Sequence, residues 1–218
     1  MSKLKKNKIT NWLGYCIGYE SPLKEISILV CNKQEADVII SKHHYSRKPT
    51  KNSFLSFLVI YKGKVSGALQ LGYGIRPKIK GDLNPNEVRE FDRMWLSDVM
   101  PKFSETITLS LLHLYLQSEC PNIKALISYS DTSVGNFGTI YKAANYKLIG
   151  DIKSDFYILK TGERVHPVSM YHRHKSRAWD LMKRLYPGIK KANGRQLKYI
   201  YFLRKKHFKL RVSNHSNL

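Results

Sequence analysis

The segment from Ser104 to Glu119 constrains the possible folds more than any other part of the chain. Its apolar residues would cover most of a helix surface, so a helix here must be buried. These residues are Ile107, Leu109, Leu111, Leu112, Leu114 and Leu116. Ser104 is the predicted cap of this helix, and Cys120-Pro121-Asn122 ends it. Strands are predicted on either side, at residues 87–96 and 125–130, and a helix between two strands brings them together in parallel. The middle of the chain therefore predicts an α/β fold.

The other elements are predicted from local patterns. Asn32 and Glu35 form a capping-box pattern, which predicts a helix that runs to about His43. The remaining predicted elements are a hairpin over residues 54–71, a helix from about Gly138 to Asn145, strands at 147–150 and 156–159, a short helix at 178–185 and a last strand at 198–203.

Basic residues dominate the charge of the chain. Lys and Arg outnumber Asp and Glu by 38 to 16, which gives a net charge of +22. Folding does not need this excess, whereas binding to a polyanion gains from it because each neutralised phosphate releases counterions. Residues 160–218 carry most of the charge and are predicted to form an ordered basic surface that ends in a frayed tail. The predicted DNA contacts are Arg173, Lys175, Arg177, Lys183, Arg184, Lys190, Lys191, Arg195 and Lys198.

Neither the cysteines nor the histidines predict a metal site. The three cysteines are Cys16, Cys31 and Cys120. They are odd in number and far apart, so we expect reduced thiols of a cytoplasmic protein. His172 and His174, with His166 nearby, could bind a metal as a His-x-His pair on a strand, but no third ligand is identifiable. The sequence has neither a signal peptide nor a membrane span, so no membrane partner is expected.

Several short motifs together resemble a known family. They are His44-Tyr45-Ser46, Glu87 to Arg93, Ser128-Tyr129-Ser130-Asp131, Gly138 to Tyr146, Val165-His166-Pro167 and Lys198 to Tyr201. Over residues 40–205 the chain resembles the phage Mom proteins. The resemblance implies a diverged acetyltransferase (GNAT) fold, with a mixed central sheet flanked by helices and a basic carboxyl-terminal elaboration. We expect a catalytic core over residues 1–160, and a basic extension over 161–218 that adds a final strand to the same domain.

The resemblance also implies an activity. It is the conversion of adenine in double-stranded DNA to N6-carbamoylmethyladenine, which shields phage DNA from restriction and would take place in the host cytoplasm. An adenine inside a duplex must be turned out and stacked against apolar side chains. The candidates for this stacking are Tyr45, Tyr73, Tyr129 and Trp95. Two rival functions stay open: a conventional N-acetyltransferase acting on a protein or small amine, and a non-catalytic DNA-binding protein.

The donor of the transferred group is open. Acetyltransferases hold the pyrophosphate of coenzyme A on a glycine-rich turn at a helix amino terminus. Here no glycine occurs between Gly81 and Gly135, which argues against the usual acyl-CoA site. A glycyl-tRNA would suit the charge and supplies the carbons and nitrogen of the group. Direct glycyl transfer leaves the nitrogen at the wrong end, so a rearrangement would be required.

Candidate catalytic residues follow from the chemistry of the adenine amine. This amine is a weak nucleophile, so an enzyme must position it and move protons as the bond forms. Asp131, after a central strand, could be the base, and the alternative is a helix cap. Tyr141 could protonate the leaving group, and the alternative is a core aromatic. The resemblance favours catalytic roles for both.

Further candidates surround these two. His44 and Tyr45 follow the first helix and match the family motif, although the neighbouring His43 could act instead. Glu90 and Arg93 could form a polar pair that faces the pocket, or a surface ion pair. The predicted substrate contacts are Glu90, Arg93, Ser128 and Ser130.

Overall fold

The computed structural model describes residues 6–21, 25–74 and 83–204 of the chain. The predicted frayed tail from residue 205 onward lies outside these residues. The strands are β1 (Asn7–Thr10), β2 (Cys16–Ser21), β3 (Ile26–Cys31), β4 (Ser53–Tyr61), β5 (Lys64–Gly72), β6 (Val88–Leu96), β7 (Ala125–Asp131), β8 (Lys147–Lys153), β9 (Tyr157–Ile158), β10 (Arg164–Val165), β11 (Lys190–Lys191) and β12 (Arg195–Phe202). The helices are α1 (Lys33–His43), α2 (Ser104–Glu119), α3 (Thr139–Ala143), α4 (Pro167–His174) and α5 (Trp179–Leu185).

The strands form a large mixed sheet and a small one. The large sheet has nine strands in the order β1-β2-β3-β4-β5-β6-β7-β12-β8, and the small one has the order β10-β9-β11. Each neighbouring pair from β1 to β6 is antiparallel, whereas β6 and β7 are parallel. The predicted hairpin and the predicted parallel pair are therefore confirmed, and so is the mixed α/β architecture.

The chain divides into two compact units. The first comprises Met1–Ser128, Ile140–Ile149 and Tyr199–Leu218, and the second comprises Tyr129–Thr139 and Gly150–Lys198. The functional division at residue 160 stays a prediction. Among the described residues, no helix is both long and apolar enough to cross a membrane.

Helix α1 begins and ends where its sequence predicts. Asn32 caps it, and the Glu35 side chain accepts a hydrogen bond from the Asn32 backbone N–H at 2.8 Å, which completes the capping box. The helix buries Ala36 and Ile40 against Ala68 of β5.

Helix α2 is buried as predicted, but its cap is different. Leu109, Leu112 and Leu116 are fully buried. The predicted cap at Ser104 is wrong: Phe103 holds the cap position in a left-handed conformation, with φ of 72°. Ser104 is the first helical residue, its hydroxyl donates to the Pro101 carbonyl at 2.5 Å, and no side chain caps this helix through a hydrogen bond.

The second unit has a small core of its own. Helix α4 contributes Met170 to this core and α5 contributes Met182. The other core residues are Tyr157, Val165 and Ile189. The predicted short helix near residues 178–185 is confirmed as α5.

The histidine pair of the second unit is on a helix. The expected strand at His172 and His174 is wrong, because both residues belong to α4. This helix starts where His166 caps it and Pro167 supplies the first turn. No cluster of three metal-binding side chains occurs in the described parts of the chain.

Candidate active site

The first unit contains a polar cluster where β6 and β7 part. Their pairing runs from Val88 with Ala125 to Glu90 with Ile127, and β6 then continues to Leu96 without β7 as its partner. Parallel strands that separate leave space for a ligand between them. Glu90 and Ser128, one on each strand, lie at this point.

A β-bulge at Asp92 shapes the cluster. Gln70 pairs with Arg93 and Leu71 pairs with Phe91, so Asp92 is the extra residue. Its carboxylate lies directly against Gly72, where any Cβ would collide with it. A larger residue at Gly72 would displace the Asp92 carboxylate from its present position.

Asp92 and Glu90 form a carboxyl pair. The Glu90 side chain lies close enough to the Asp92 carboxyl group to affect its pKa. Burial raises the pKa of Asp92, and the contacts with Glu90, Arg93 and Thr50 offset part of that rise. Because its pKa is raised, the Asp92 carboxyl group takes up a proton more readily than an ordinary exposed carboxylate. The sequence pattern did not single out Asp92, because the bulge depends on pairing with a distant strand.

Arg93 connects β6 to the segment that follows α1. Its Nε donates to the Lys48 carbonyl at 2.8 Å, and its Nη1 donates to the Asp92 carbonyl at 2.7 Å. Gln70, which is fully buried, holds the same segment: its Oε1 accepts from the Thr50 N–H at 3.0 Å. The chain that follows His44 and Tyr45 is therefore held at Lys48 and Thr50.

His44 is buried and neutral. Its Nδ1 accepts from the Ser46 N–H at 3.1 Å, so the proton of the neutral ring is on Nε2. Burial, followed by the positive charge of Arg93, lowers the pKa of His44 to about 4. The exposed ring of Tyr45 lies beside it, with the ring centres 4.3 Å apart. At neutral pH His44 can therefore donate a hydrogen bond through Nε2.

His43 and Trp95 form a separate stack. Their rings are 4.2 Å apart and inclined by 17°. His43 is thus the neighbour of Trp95, whereas His44 is the neighbour of Tyr45 and Arg93.

Tyr141 is both a core aromatic and a potential proton donor. Only 7% of it is exposed, and its ring centre is 5.4 Å from those of Tyr146 and Tyr199. Burial, followed by the nearby Tyr45, raises the pKa of Tyr141, so its hydroxyl stays protonated at neutral pH. The buried Ser128 hydroxyl is close to Tyr141, but its geometry falls short of a full hydrogen bond.

Asp131 and Ser130 belong to the second unit. Asp131 caps the short turn Thr132–Val134 by accepting from the Ser133 N–H at 2.9 Å, which is the alternative that its sequence left open. It also pairs with Arg164, whose Nη2 is 2.5 Å from its Oδ2. Sequence reasoning missed Arg164, because no local signal joins the two residues. A catalytic role for Asp131 stays a prediction.

The sequence of the chain is similar to those of known proteins. The sequence profile of the Mom protein family matches residues 25–217. The chain belongs to the Mom protein family. It is 32% identical over 171 residues to the methylcarbamoylase mom of Escherichia phage Mu, which covers 77% of this chain and 70% of that protein.

Solved structures support the fold of this Mom family member. The ribosomal-protein-S5-alanine acetyltransferase from Vibrio fischeri aligns with a TM-score of 0.51 at 10% identity. The alignment covers 87% of this chain and 98% of the acetyltransferase. The acetyltransferase-like fold implied by the sequence resemblance is therefore confirmed.

The turn before α2 of this Mom protein does not fit the coenzyme A cradle of that fold. Pro101 has no N–H, and the Ser104 N–H is bonded to the Pro101 carbonyl at 3.2 Å. Phe103 occupies the left-handed position where glycine would let a phosphate approach. We therefore assign no step of the reaction to coenzyme A.

The second unit of this Mom protein exposes most of the predicted DNA contacts. The exposed residues are Arg173, Lys175, Arg177, Lys183, Arg184, Lys190, Lys191 and Arg195, and Lys198 is half-buried. Lys183 pairs with Asp180 at 2.9 Å, and Lys191 lies 4.9 Å from the Trp179 ring centre. The basic side chains thus stand on an ordered scaffold, as expected from the sequence.

Proposed function

We propose that this protein is a transferase that converts adenine in double-stranded DNA to N6-carbamoylmethyladenine and so protects phage DNA from host restriction. The observation that carries the proposal is the partly buried polar cluster at the point where β6 and β7 separate, in a chain of the Mom family. Its matched relative bears the name methylcarbamoylase, which supports the transferred group.

The cluster supplies the proton movements that this reaction needs. As the new bond to N6 forms, the amine must lose a proton, and the Glu90 and Asp92 pair is the proposed acceptor in the first unit. The neutral hydroxyl of Tyr141 and the Nε2–H of His44 are proposed donors to the leaving group and to a carbonyl oxygen. Ser128 is proposed to contact the substrate, because its buried hydroxyl has no full hydrogen bond among the described residues.

Asp131 and Ser130 are retained as proposed site residues on the strength of the family motif. The Arg164 guanidinium keeps the Asp131 carboxylate in one orientation, which suits acceptance of a hydrogen bond from an amine. The Ser130 hydroxyl is buried and has no hydrogen-bond partner among the described residues. It is proposed to bind the substrate.

DNA is the proposed partner because of the charge. A net charge of +22 and the exposed basic residues of the second unit suit a phosphate backbone. Turning out one adenine costs a few kcal/mol, and Tyr45, 69% exposed, is the proposed stacking partner of the base. The donor is proposed to be a glycyl-tRNA, whose ester bond breaks with release of the tRNA hydroxyl. A rearrangement of the glycyl group must then leave its methylene carbon on N6 and its nitrogen in the carboxamide. Acyl-CoA is disfavoured by the turn before α2.

Two variants test the proposal. DNA from bacteria that express the wild-type chain should contain a modified adenosine, and Glu90→Gln and Asp131→Asn should abolish it while duplex binding persists. Acetylated protein or small amines with unmodified DNA would favour the conventional acetyltransferase. Binding without modification by any form, including the wild type, would favour a non-catalytic DNA-binding protein. Transfer from a coenzyme A thioester without tRNA would exclude the tRNA donor.

A further inference from the structure

The turn between β1 and β2 is a rigid, hydrogen-bonded loop. The Asn11 side chain accepts from the N–H groups of Leu13 and Tyr15, each at 3.0 Å. Its backbone adds two bonds at 2.9 Å, one to the Tyr15 carbonyl and one from the Gly14 N–H. Gly14 has φ of 80°, which glycine adopts without strain. The conformation of this tip is therefore set by its own residues.

The tip exposes three large apolar side chains. Trp12 is 90% exposed, Tyr15 is 69% exposed and Leu13 is 56% exposed. The chain's other tryptophans are used differently, since Trp95 stacks on His43 and Trp179 packs against the core of the second unit. Isolated exposed apolar residues are common, but a rigid tip that presents three of them together points to a binding surface.

The base of the hairpin is anchored. Asn7 of β1 donates to Glu20 of β2 at 2.9 Å, and Lys8 pairs with Glu119 at the end of α2 at 2.8 Å. Gly18 of β2 lies so close to the Ile28 carbonyl of β3 that no larger residue fits. The hairpin that carries the tip is therefore joined to β3 and to α2.

The charge of the chain favours a polyanion as the partner of the tip. The first nineteen residues contain Lys3, Lys5, Lys6 and Lys8 and no acidic residue. A second copy of this chain, with its own charge of +22, would be repelled, whereas a polyanion would be attracted. A rigid aromatic tip on a strongly basic chain suits stacked bases, because every base offers an apolar face.

We infer that Trp12 and Tyr15 form a wedge that inserts between the bases of duplex DNA. This inference rests on the proposed function, which supplies the duplex and the need to unstack it. Proteins that bend or open DNA insert apolar side chains in the same way and partly unstack a base step. The wedge would lower the cost of turning out the target adenine.

The test is duplex binding at several salt concentrations, with a fluorescent 2-aminopurine in the duplex as a probe of unstacking. Trp12→Ala should weaken binding roughly ten-fold or more, since each stacked base contributes substantially to affinity. It should also suppress the 2-aminopurine signal, whereas the slope of log affinity against log salt should not change, because no phosphate contact is lost. Trp12→Phe should retain part of the affinity, and Tyr15→Ala should show a smaller loss than Trp12→Ala. Val38→Ala is the matched control: Val38 is 68% exposed on α1 and should bind as the wild type does.

Three results would overturn the wedge. One is wild-type affinity and an unchanged probe signal for both Trp12→Ala and Tyr15→Ala. Another is a Trp12→Ala defect that appears with phosphatidylserine vesicles and not with DNA. The third is a change of oligomeric state caused by Trp12→Ala, as measured by sedimentation. A wild-type chain that modifies adenine while Trp12→Ala binds normally refutes the wedge alone, whereas a wild-type chain that neither binds nor modifies DNA refutes the proposed function as well.

Discussion

Replacing Gln70 with methionine should destabilise the protein and its proposed active site together. Gln70 is fully buried on β5. Its Oε1 accepts from the Thr50 N–H at 3.0 Å, and its Nε2 donates to Asp37 Oδ1 at 2.6 Å. Methionine has nearly the same volume, so Gln70→Met removes both hydrogen bonds without leaving a cavity.

The cost follows from the groups left without partners. Thr50 is 6% exposed, so its N–H would be buried and unsatisfied, at a cost of about 1–3 kcal/mol. Asp37 still pairs with Lys33, so the loss of its hydrogen bond from Gln70 should cost about 1 kcal/mol. We expect a fall of about 2–4 kcal/mol in the free energy of unfolding. Modification should fall too, because Thr50 contacts Asp92 and ends the segment that carries His44.

Urea unfolding and modified-base yield measure the two effects. Gln117→Met is the matched control, because Gln117 donates one hydrogen bond to the Leu203 carbonyl at 2.8 Å and is remote in sequence from the site residues. Removing this bond should lower the free energy of unfolding by about 1 kcal/mol and leave the activity normal. Equal stability losses for the two variants, or full activity of folded Gln70→Met, would refute the reasoning.

Three further predictions concern individual residues. Tyr141→Phe keeps the ring packing and should change stability by no more than about 1 kcal/mol, but it should lower the modification rate about 100-fold or more. Tyr115→Phe, which removes a hydroxyl from another buried tyrosine, should leave the rate unchanged. Equal rates for the two variants would exclude Tyr141 as a proton donor. The lowered pKa of His44 means that folding favours its neutral form, so the stability it contributes is complete above its ordinary pKa and is lost as the pH falls towards about 4. The pKa of His113 is also lowered, so the contribution of His44 is isolated by subtracting the unfolding free energy of His44→Gln from that of the wild type, measured with urea at each pH. If the unfolding free energies of the two proteins vary with pH in parallel, His44 is not buried as a neutral ring. Replacing Arg177 or Lys190 with glutamine should weaken binding to all duplex sequences alike and reduce the slope of log affinity against log salt by about one unit. The control Lys62→Gln should change neither. Unchanged slopes for variants at all nine predicted contacts would contradict the proposed DNA-binding surface.

Local signals in the sequence predicted the elements, and non-local contacts account for what they missed. The capping box at Asn32 and the apolar surface of α2 depend on residues within a few turns, and both are present in the structure. The three amino-terminal strands were not predicted, although Asn11 and Gly14 mark the turn between the first two. A local signal was also available for α4, since His166-Pro167 is typical of a helix start.

The candidate site was predicted in part. The family motif selected His44, Glu90, Arg93 and Tyr141, which the structure brings into one unit. Asp92 was missed because its position depends on a bulge opposite Gly72, and sequence alone does not set the pairing register of distant strands. Arg164 was missed because it meets Asp131 across 33 residues of chain.

The central claim is tested most directly by mass spectrometry of nucleosides from the DNA of bacteria that express this chain. We expect an adenosine heavier by one carbamoylmethyl group on N6, present with the wild type and absent with Glu90→Gln and with an empty vector. DNA that contains only ordinary adenosine, while the expressed protein is folded and binds duplex, would contradict the account.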